Sequence, residues 1–236
     1  MKTREILDRF ASLLFPQVCV LCGTVVEYDI LWCGECLPHL LKGEVCAVCG
    51  HLQEDCVCGR VQWEFVRAVC ALRYKGSVRE AVLRLKKKPD KRICLFFARQ
   101  MQETLAEEYA AIVFDCAVEV PANPKKLAER GYNPAELLAA ELCAVLGLPL
   151  ERRALCRLDS TRPQHSLDVA ARFANAQSSF KIARKEAVKG KRILLIDDVM
   201  TTGATAQACA AALLGAGALT VHVVTAAATG HKEKQA

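Results

Sequence analysis

Two adjacent carboxylates, Asp197 and Asp198, follow the apolar run ILLI, and a short segment of threonine and glycine comes directly after them. The apolar run predicts a buried strand and the Ala-rich run after it a helix, so the residues between them form a loop at the carboxyl end of a parallel strand. Amides and hydroxyls at a helix N-terminus suit a phosphate, whereas paired carboxylates accept hydrogen bonds from a diol. The pattern indicates a ribose 5-phosphate site, whose predicted phosphate ligands are Thr201, Thr202, Gly203 and Thr205.

Eight of the 14 cysteines form four close pairs between residues 19 and 58. The charged first residues do not resemble a secretory signal, so we expect reduced cysteines that bind metal. Four thiolates complete one tetrahedral zinc site and leave no open catalytic position, which makes the predicted sites structural. The simplest pairing is two successive ribbons, with Cys19, Cys22, Cys33 and Cys36 in the first and Cys46, Cys49, Cys56 and Cys58 in the second. An interleaved pairing, first pair with third, is the alternative, and the last pair is one residue tighter than the others.

The length of 236 residues allows one sizeable domain and a small one, and the net charge is +6. Basic residues concentrate between Val66 and Arg92, which suggests an anionic partner such as phosphate or nucleic acid, or else a solvated helix face. The uncharged stretch 199–230 is interrupted by polar residues and glycines, so no transmembrane helix is expected. Without a signal or a span, the predicted location is cytoplasmic.

Strand and helix patterns alternate after residue 60, which predicts an α/β domain with a mostly parallel sheet covered on both faces. Strands are expected at 66–74, 115–121, 192–197 and 219–225. Helices are expected at 77–87, 91–109, 134–147 and 204–214. The predicted organisation is an amphipathic N-terminal helix in 1–16, a double zinc ribbon in 17–60, the α/β domain in 61–229 and a polar tail in 230–236.

The segment LLIDDVMTTGAT resembles the phosphoribosyl pyrophosphate (PRPP) motif of type I phosphoribosyltransferases. The resemblance implies that Asp197 and Asp198 bind the ribose hydroxyls, that the loop including Ala204 binds the 5-phosphate, and that Mg²⁺ accompanies PRPP. The segment RYKG looks like the pyrophosphate loop of that family, which implies Arg73, Lys75 and Gly76 as further ligands.

Residues 120–139 are similar to the mobile-loop segment of the ComF family, the competence protein F group. Residues 161–180 carry the spacing of that group at Gln164, Arg172, Asn175 and Phe180. A Cys-rich module before a transferase domain is the layout of the group, and the resemblance covers about 12–229. It implies a type I phosphoribosyltransferase fold with a small N-terminal zinc-ribbon module, and a role in DNA uptake with single-stranded DNA and DNA-uptake proteins as partners.

Lys125, Lys126 and Arg130 are expected on a loop that closes over pyrophosphate, although an exposed basic loop without a catalytic duty is the alternative. Lys75 and Arg130 are the candidate catalytic residues. No general base is assigned: His165 is a candidate by its chemistry only, and a structural hydrogen bond is the favoured interpretation of this single histidine. Two functions remain: a phosphoribosyltransferase with an unknown acceptor, or a non-catalytic factor for single-stranded DNA in which PRPP binding is regulatory or residual. The expected DNA-binding residues, outside the PRPP loop, are Arg79, Arg84, Lys86, Lys87 and Lys88.

Overall fold

The structure is a computed structural model that describes residues 16–27, 30–39, 45–56, 58–158 and 179–230. The predicted helix of residues 4–15 and the tail beyond residue 230 lie outside the described residues. The same holds for Gln164, His165, Arg172 and Asn175, so the expectations for those side chains stay predictions.

The described α/β domain contains six strands and five α-helices, among them the four strands and four helices that the sequence predicts. The strands are β1 (Arg67–Arg73), β2 (Cys116–Glu119), β3 (Leu155–Arg157), β4 (Phe180–Ile182), β5 (Arg192–Met200) and β6 (Thr220–Ala228). The helices are α1 (Gly76–Lys87), α2 (Lys91–Glu108), α3 (Pro124–Arg130), α4 (Pro134–Leu146) and α5 (Ala204–Gly215).

Four strands form one parallel sheet in the order β1-β6-β5-β2. Its interior strands are buried along most of their length, as expected for a parallel sheet with helices on both faces. The carboxyl ends of all four strands meet at one edge, where backbone bonds join Tyr74 to Ala228, Thr229 to Met200 and Val120 to Ile196. Strands β3 and β4 form a separate antiparallel pair that the sequence did not predict. The predicted mostly parallel α/β fold is confirmed.

Two apolar clusters cover the two faces of the sheet. One contains buried side chains of α1, α2 and α4 together with five from the Cys-rich module, namely Cys19, Val20, Leu21, Leu31 and Cys36. The other contains α5, whose small residues Ala206, Ala208 and Ala210 are buried against the sheet. Among the described residues, no helix is both long and apolar enough to cross a membrane.

Strand β5 is longer than predicted, because its pairing with β6 continues past the apolar run to Met200. The expectation that Asp197 and Asp198 lie on an exposed loop is therefore wrong: both belong to the strand, and both are partly buried. The backbone bonds to β6 fix the positions of these two acids more tightly than a loop would.

Candidate functional site

The threonine-rich segment turns sharply between β5 and α5. Thr201 is exposed, Thr202 is buried, and Gly203 adopts the left-handed conformation with φ of +80° immediately before α5 begins. The first amides of an α-helix have no acceptor within the helix and can bind an anion. Ala204 and Thr205 occupy this first turn, so the predicted phosphate-binding residues lie at a helix N-terminus.

The two acids are held by a network that includes a cation from another helix. Lys86 Nζ lies 2.7 Å from Asp198 Oδ2, and the Asp198 backbone N–H donates to Asp197 Oδ1 over 2.8 Å. The side chain of Lys86 is 26% exposed and that of Asp198 only 15%. Helix α1 therefore contributes a charged group to the acid pair, which sequence reasoning did not predict.

The electrostatics of this cluster follow from its burial. Burial, followed by the negative charge of Asp198, raises the pKa of Asp197 well above its ordinary value. Burial alone would lower the pKa of Lys86, but the carboxylates of Asp198 and Asp197 outweigh it and raise that pKa. Lys86 is therefore an ammonium ion at neutral pH, and it offsets part of the repulsion between the two acids.

The predicted pyrophosphate loop lies at the same edge of the sheet. Arg73 ends β1, Lys75 is the exposed cap residue of α1, and Gly76 begins the helix with φ of +52°. Only β6 separates β1 from β5, so this loop and the threonine segment stand on either side of one strand. The structure thus places Arg73, Lys75 and Gly76 at the edge that also carries the acids.

The expected basic loop is instead a short helix, α3. Asn123 Oδ1 accepts the backbone N–H groups of Lys125 and Lys126, Pro124 occupies the first turn, and Gly131 ends the helix with φ of +77°. These signals specify a capped helix, so the predicted loop conformation is wrong for this structure. Arg130 lies in the last turn of α3. Tyr132, just after the helix, donates through its hydroxyl to the Leu85 carbonyl over 2.6 Å.

The five residues expected to form one DNA-binding face do not share one environment. Arg84 donates to the backbone carbonyls of Val20 and Leu21 in the Cys-rich module. Lys86 lies beyond the pyrophosphate loop along the chain, but its ammonium group pairs with Asp198. The exposed remainder comprises Arg79, which pairs with Glu80 over 3.1 Å, and Lys87 and Lys88 at the end of α1.

The first cysteine cluster has the geometry of a tetrahedral metal site. The Sγ–Sγ distances are 3.8 Å for Cys19–Cys36, 3.6 Å for Cys22–Cys33 and 3.5 Å for Cys33–Cys36. Zinc–sulfur bonds of about 2.3 Å require an edge of about 3.8 Å in a tetrahedron. A hydrogen bond with Thr24 lowers the pKa of Cys22 to about 6, which favours the thiolate that binds metal.

The second cluster is formed as well, with the tight CVC pair included. The Sγ–Sγ distances are 3.6 Å for Cys46–Cys58, 3.9 Å for Cys49–Cys56 and 3.4 Å for Cys46–Cys56. All four sulfur atoms lie within 4.8 Å of one another, as they do in the first cluster. The two ribbons are therefore successive, the interleaved pairing is excluded, and both donor sets fit Zn²⁺.

The second ribbon also contacts the threonine segment, which the sequence did not indicate. The Nε2 atom of His51 lies 2.9 Å from the Thr201 carbonyl oxygen. The ring of Trp63 packs against Gly203, where an added Cβ would lie 2.6 Å from the indole. In the sequence, the only indication of these contacts is that Trp63 lies between the last cysteine and β1. That position by itself does not show which residues Trp63 contacts.

Comparison with known proteins matches both parts of the chain to families. Residues 10–62 match the family described as double zinc ribbon domain, and residues 127–236 match the phosphoribosyl transferase domain. The DNA utilization protein YhgH of Salmonella typhimurium is 30% identical over 210 residues, covering 87% of this chain and 88% of that protein. Competence protein ComFC of Bacillus subtilis is 27% identical over 227 residues, covering 85% and 90%.

A solved structure of adenine phosphoribosyltransferase from Thermoanaerobacter pseudethanolicus is 16% identical, with a TM-score of 0.38, and the match covers 63% of this chain and 84% of that one. The fold assignment does not depend on this likeness. It follows from the family matches and from the parallel sheet and cysteine clusters described above.

Proposed function

Because the chain belongs to the ComF family, which joins a double zinc ribbon to a phosphoribosyltransferase domain, we propose that it binds PRPP at the carboxyl edge of its parallel sheet. One observation carries this proposal. Two partly buried acids lie near the carboxyl end of β5, and a threonine–glycine segment that leads into α5 follows the strand directly. The arrangement offers acceptors for a diol beside donors for a phosphate.

In this proposal the two acids bind the ribose. The residues from Thr201 to Thr205, here called the phosphate loop, bind the 5-phosphate. Arg73, Lys75 and Gly76 bind the pyrophosphate, because their loop stands across β6 from the phosphate loop. Mg²⁺ would bind together with PRPP rather than in a cage of protein ligands, and it would supply positive charge that offsets the charge of the pyrophosphate. The cation Lys86 pairs with Asp198 Oδ2 and holds that carboxylate in position to accept a hydroxyl hydrogen bond.

A second candidate function is the handling of single-stranded DNA, with PRPP binding in a regulatory role. The relatives are named for DNA utilization and competence, which supports a place in DNA uptake. The supporting observation in this chain is that exposed Lys87 and Lys88 end α1 near α3, which carries exposed Lys125 and Lys126. These four exposed cations, here called the basic rim, are the candidates for neutralising a phosphate backbone.

Calorimetry with PRPP and Mg²⁺ tests the binding proposal. Replacing both acids, Asp197→Asn with Asp198→Asn, should weaken binding by about 1.5–3 kcal/mol for each lost charge-assisted hydrogen bond. Asp115→Asn is the matched control, because Asp115 lies at the amino end of the sheet and pairs with Arg192 there. Equal affinity of the wild type and the double variant would rule out the assignment.

Measurement of pyrophosphate release separates the two functions. Release from PRPP in the presence of an acceptor would identify a phosphoribosyltransferase, and stimulation by single-stranded DNA would join the two functions in one reaction. Binding of PRPP without release under both conditions would instead favour the regulatory role. The double aspartate variant provides the background rate.

A further inference from the structure

The second zinc ribbon and the segment between its last cysteine and β1 contact the proposed phosphate loop and the first turn of α5 at three points. His51 donates from Nε2 to the Thr201 carbonyl, and Trp63 lies against Gly203. The side chain of Gln207, in the first turn of α5, accepts the Glu64 backbone N–H over 2.8 Å and donates to the Gln62 carbonyl over 3.2 Å. The segment between the last cysteine and β1 thus forms one wall of the loop.

These contacts are connected to the cysteine cluster by direct bonds. The Trp63 indole Nε1 donates to Cys58 Sγ over 3.2 Å, and the His51 backbone carbonyl accepts the N–H of Cys46 over 2.7 Å. His51 itself is only 2% exposed. A thiolate acceptor makes the indole bond charge-assisted, so the state of the cluster affects the position of the ring.

The conformation of Gly203 explains why the ring matters. Its φ of +80° costs a glycine little, but nothing within the residue itself holds it there. The indole fills the space that a side chain would take, with its nearest atom 2.6 Å from the position of a Cβ. Contact with the ring therefore limits the freedom of the loop and keeps its amides in one arrangement.

The first ribbon makes different contacts. Its backbone carbonyls at Val20 and Leu21 accept from Arg84, and Trp32 packs edge-on against Phe96 with ring centroids 5.2 Å apart. Both partners lie on helices α1 and α2. The contacts of His51 and Trp63 with the phosphate loop come instead from the second ribbon and the segment that follows it.

We propose that His51 and Trp63 are positioning residues that hold the phosphate loop in its binding conformation and couple it to the second zinc cluster. The inference rests on the proposed function, since it assigns a role to contacts with the phosphate loop. Phosphate affinity should therefore respond to changes in the second ribbon, whereas the first ribbon serves to attach the module to α1 and α2.

Calorimetry with ribose 5-phosphate and with PRPP and Mg²⁺, together with amide hydrogen exchange of residues 201–207, tests the coupling. Trp63→Phe should weaken both ligands about tenfold, the change expected for a lost hydrogen bond to a charged group. Trp32→Phe is the matched control, with the same substitution in the first ribbon, and should leave affinity and exchange unchanged. Zinc content is measured for each variant.

A pair of substitutions at His51 separates positioning from general stability. His51→Leu removes the donor and should weaken binding about three- to tenfold, while His51→Gln keeps a donor at a similar distance and should restore it. Exchange of the 201–207 amides should be faster in His51→Leu and near the wild-type rate in His51→Gln.

The outcomes test two proposals separately, the coupling of the phosphate loop to the second zinc cluster and the proposed binding of PRPP. Wild-type affinity and exchange in both Trp63→Phe and His51→Leu would overturn the coupling. Loss of zinc in both variants would also overturn it, because the residues would then hold the cluster rather than the loop. Failure of the wild type to bind either ligand would overturn the proposed function, and faster exchange in the variants would then support the coupling alone.

Discussion

Lys86 Nζ and Asp198 Oδ2 lie 2.7 Å apart, so the helix that follows the pyrophosphate loop also supplies a cation to the ribose acids. Burial opposes charging of Lys86, and the carboxylates around it more than compensate, so its pKa is raised. One helix therefore connects the two halves of the proposed ligand site. Because of this contact, we expect substitution of Lys86 to affect PRPP binding differently from substitution of its exposed neighbour Lys87.

Lys86→Ala should weaken PRPP binding by about 1.5–3 kcal/mol, because it leaves two partly buried acids without their cation. Lys87→Ala is the matched control, since Lys87 is adjacent and exposed. We expect it to change affinity by less than about 0.5 kcal/mol. Calorimetry at one salt concentration compares the two, and equal effects would show that the contact with Asp198 has no role in binding.

Two zinc ions should be found per chain by elemental analysis. Cys36→Ser and Cys56→Ser should each reduce the content by one, because the Sγ–Sγ distances assign these thiols to separate clusters. A variant that loses both ions would show that the ribbons fold together. A content of one zinc ion per wild-type chain would argue against metal in the second ribbon, which has the tighter pair Cys56 and Cys58.

Single-stranded DNA should bind through the basic rim with a strong dependence on salt. Lys87→Ala with Lys88→Ala should reduce the slope of log affinity against log salt by about 1.4, at about 0.7 for each phosphate contact. Lys185→Ala with Lys189→Ala removes the same charge next to the amino end of β5 and should leave the slope unchanged. Fluorescence anisotropy over a salt series measures both slopes, and a wild-type slope in the first pair would exclude the rim.

Acid should destabilise the fold through His222. Burial, and to a smaller degree the charge of Arg67, lowers the pKa of His222 below its ordinary 6.5. Between the two values the unfolded chain binds a proton that the folded chain does not, so the free energy of unfolding falls as pH is lowered through 6.5. His222→Phe keeps the contacts with Tyr109 and Phe114 and should lose less stability between pH 7 and about 5. Urea unfolding of both proteins measures the difference, and parallel losses would assign the acid sensitivity elsewhere.

The helices and strands around the site were largely predictable, because their signals are local. Asn133 followed by Pro134 predicted the start of α4, and the structure has that helix from Pro134 with Asn133 as its cap. The same capping signals at Asn123 and Gly131 specify α3, whereas the resemblance of this segment to a mobile loop favours a loop. The end of β5 was predicted too early because acids in a strand break the apolar pattern, whereas pairing with β6 does not depend on it.

The sequence by itself determined the chemistry that this protein offers, namely paired acids before a threonine–glycine turn, cysteine pairs with zinc spacing and an alternating α/β pattern. Those features depend on residues that are neighbours along the chain. Only the tertiary structure decided that Lys86 reaches Asp198 and that His51 contacts Thr201 across 150 residues. The physical reason is that the order of strands in the sheet, and the packing of the second ribbon against it, bring distant residues together, and no local spacing encodes which of them meet.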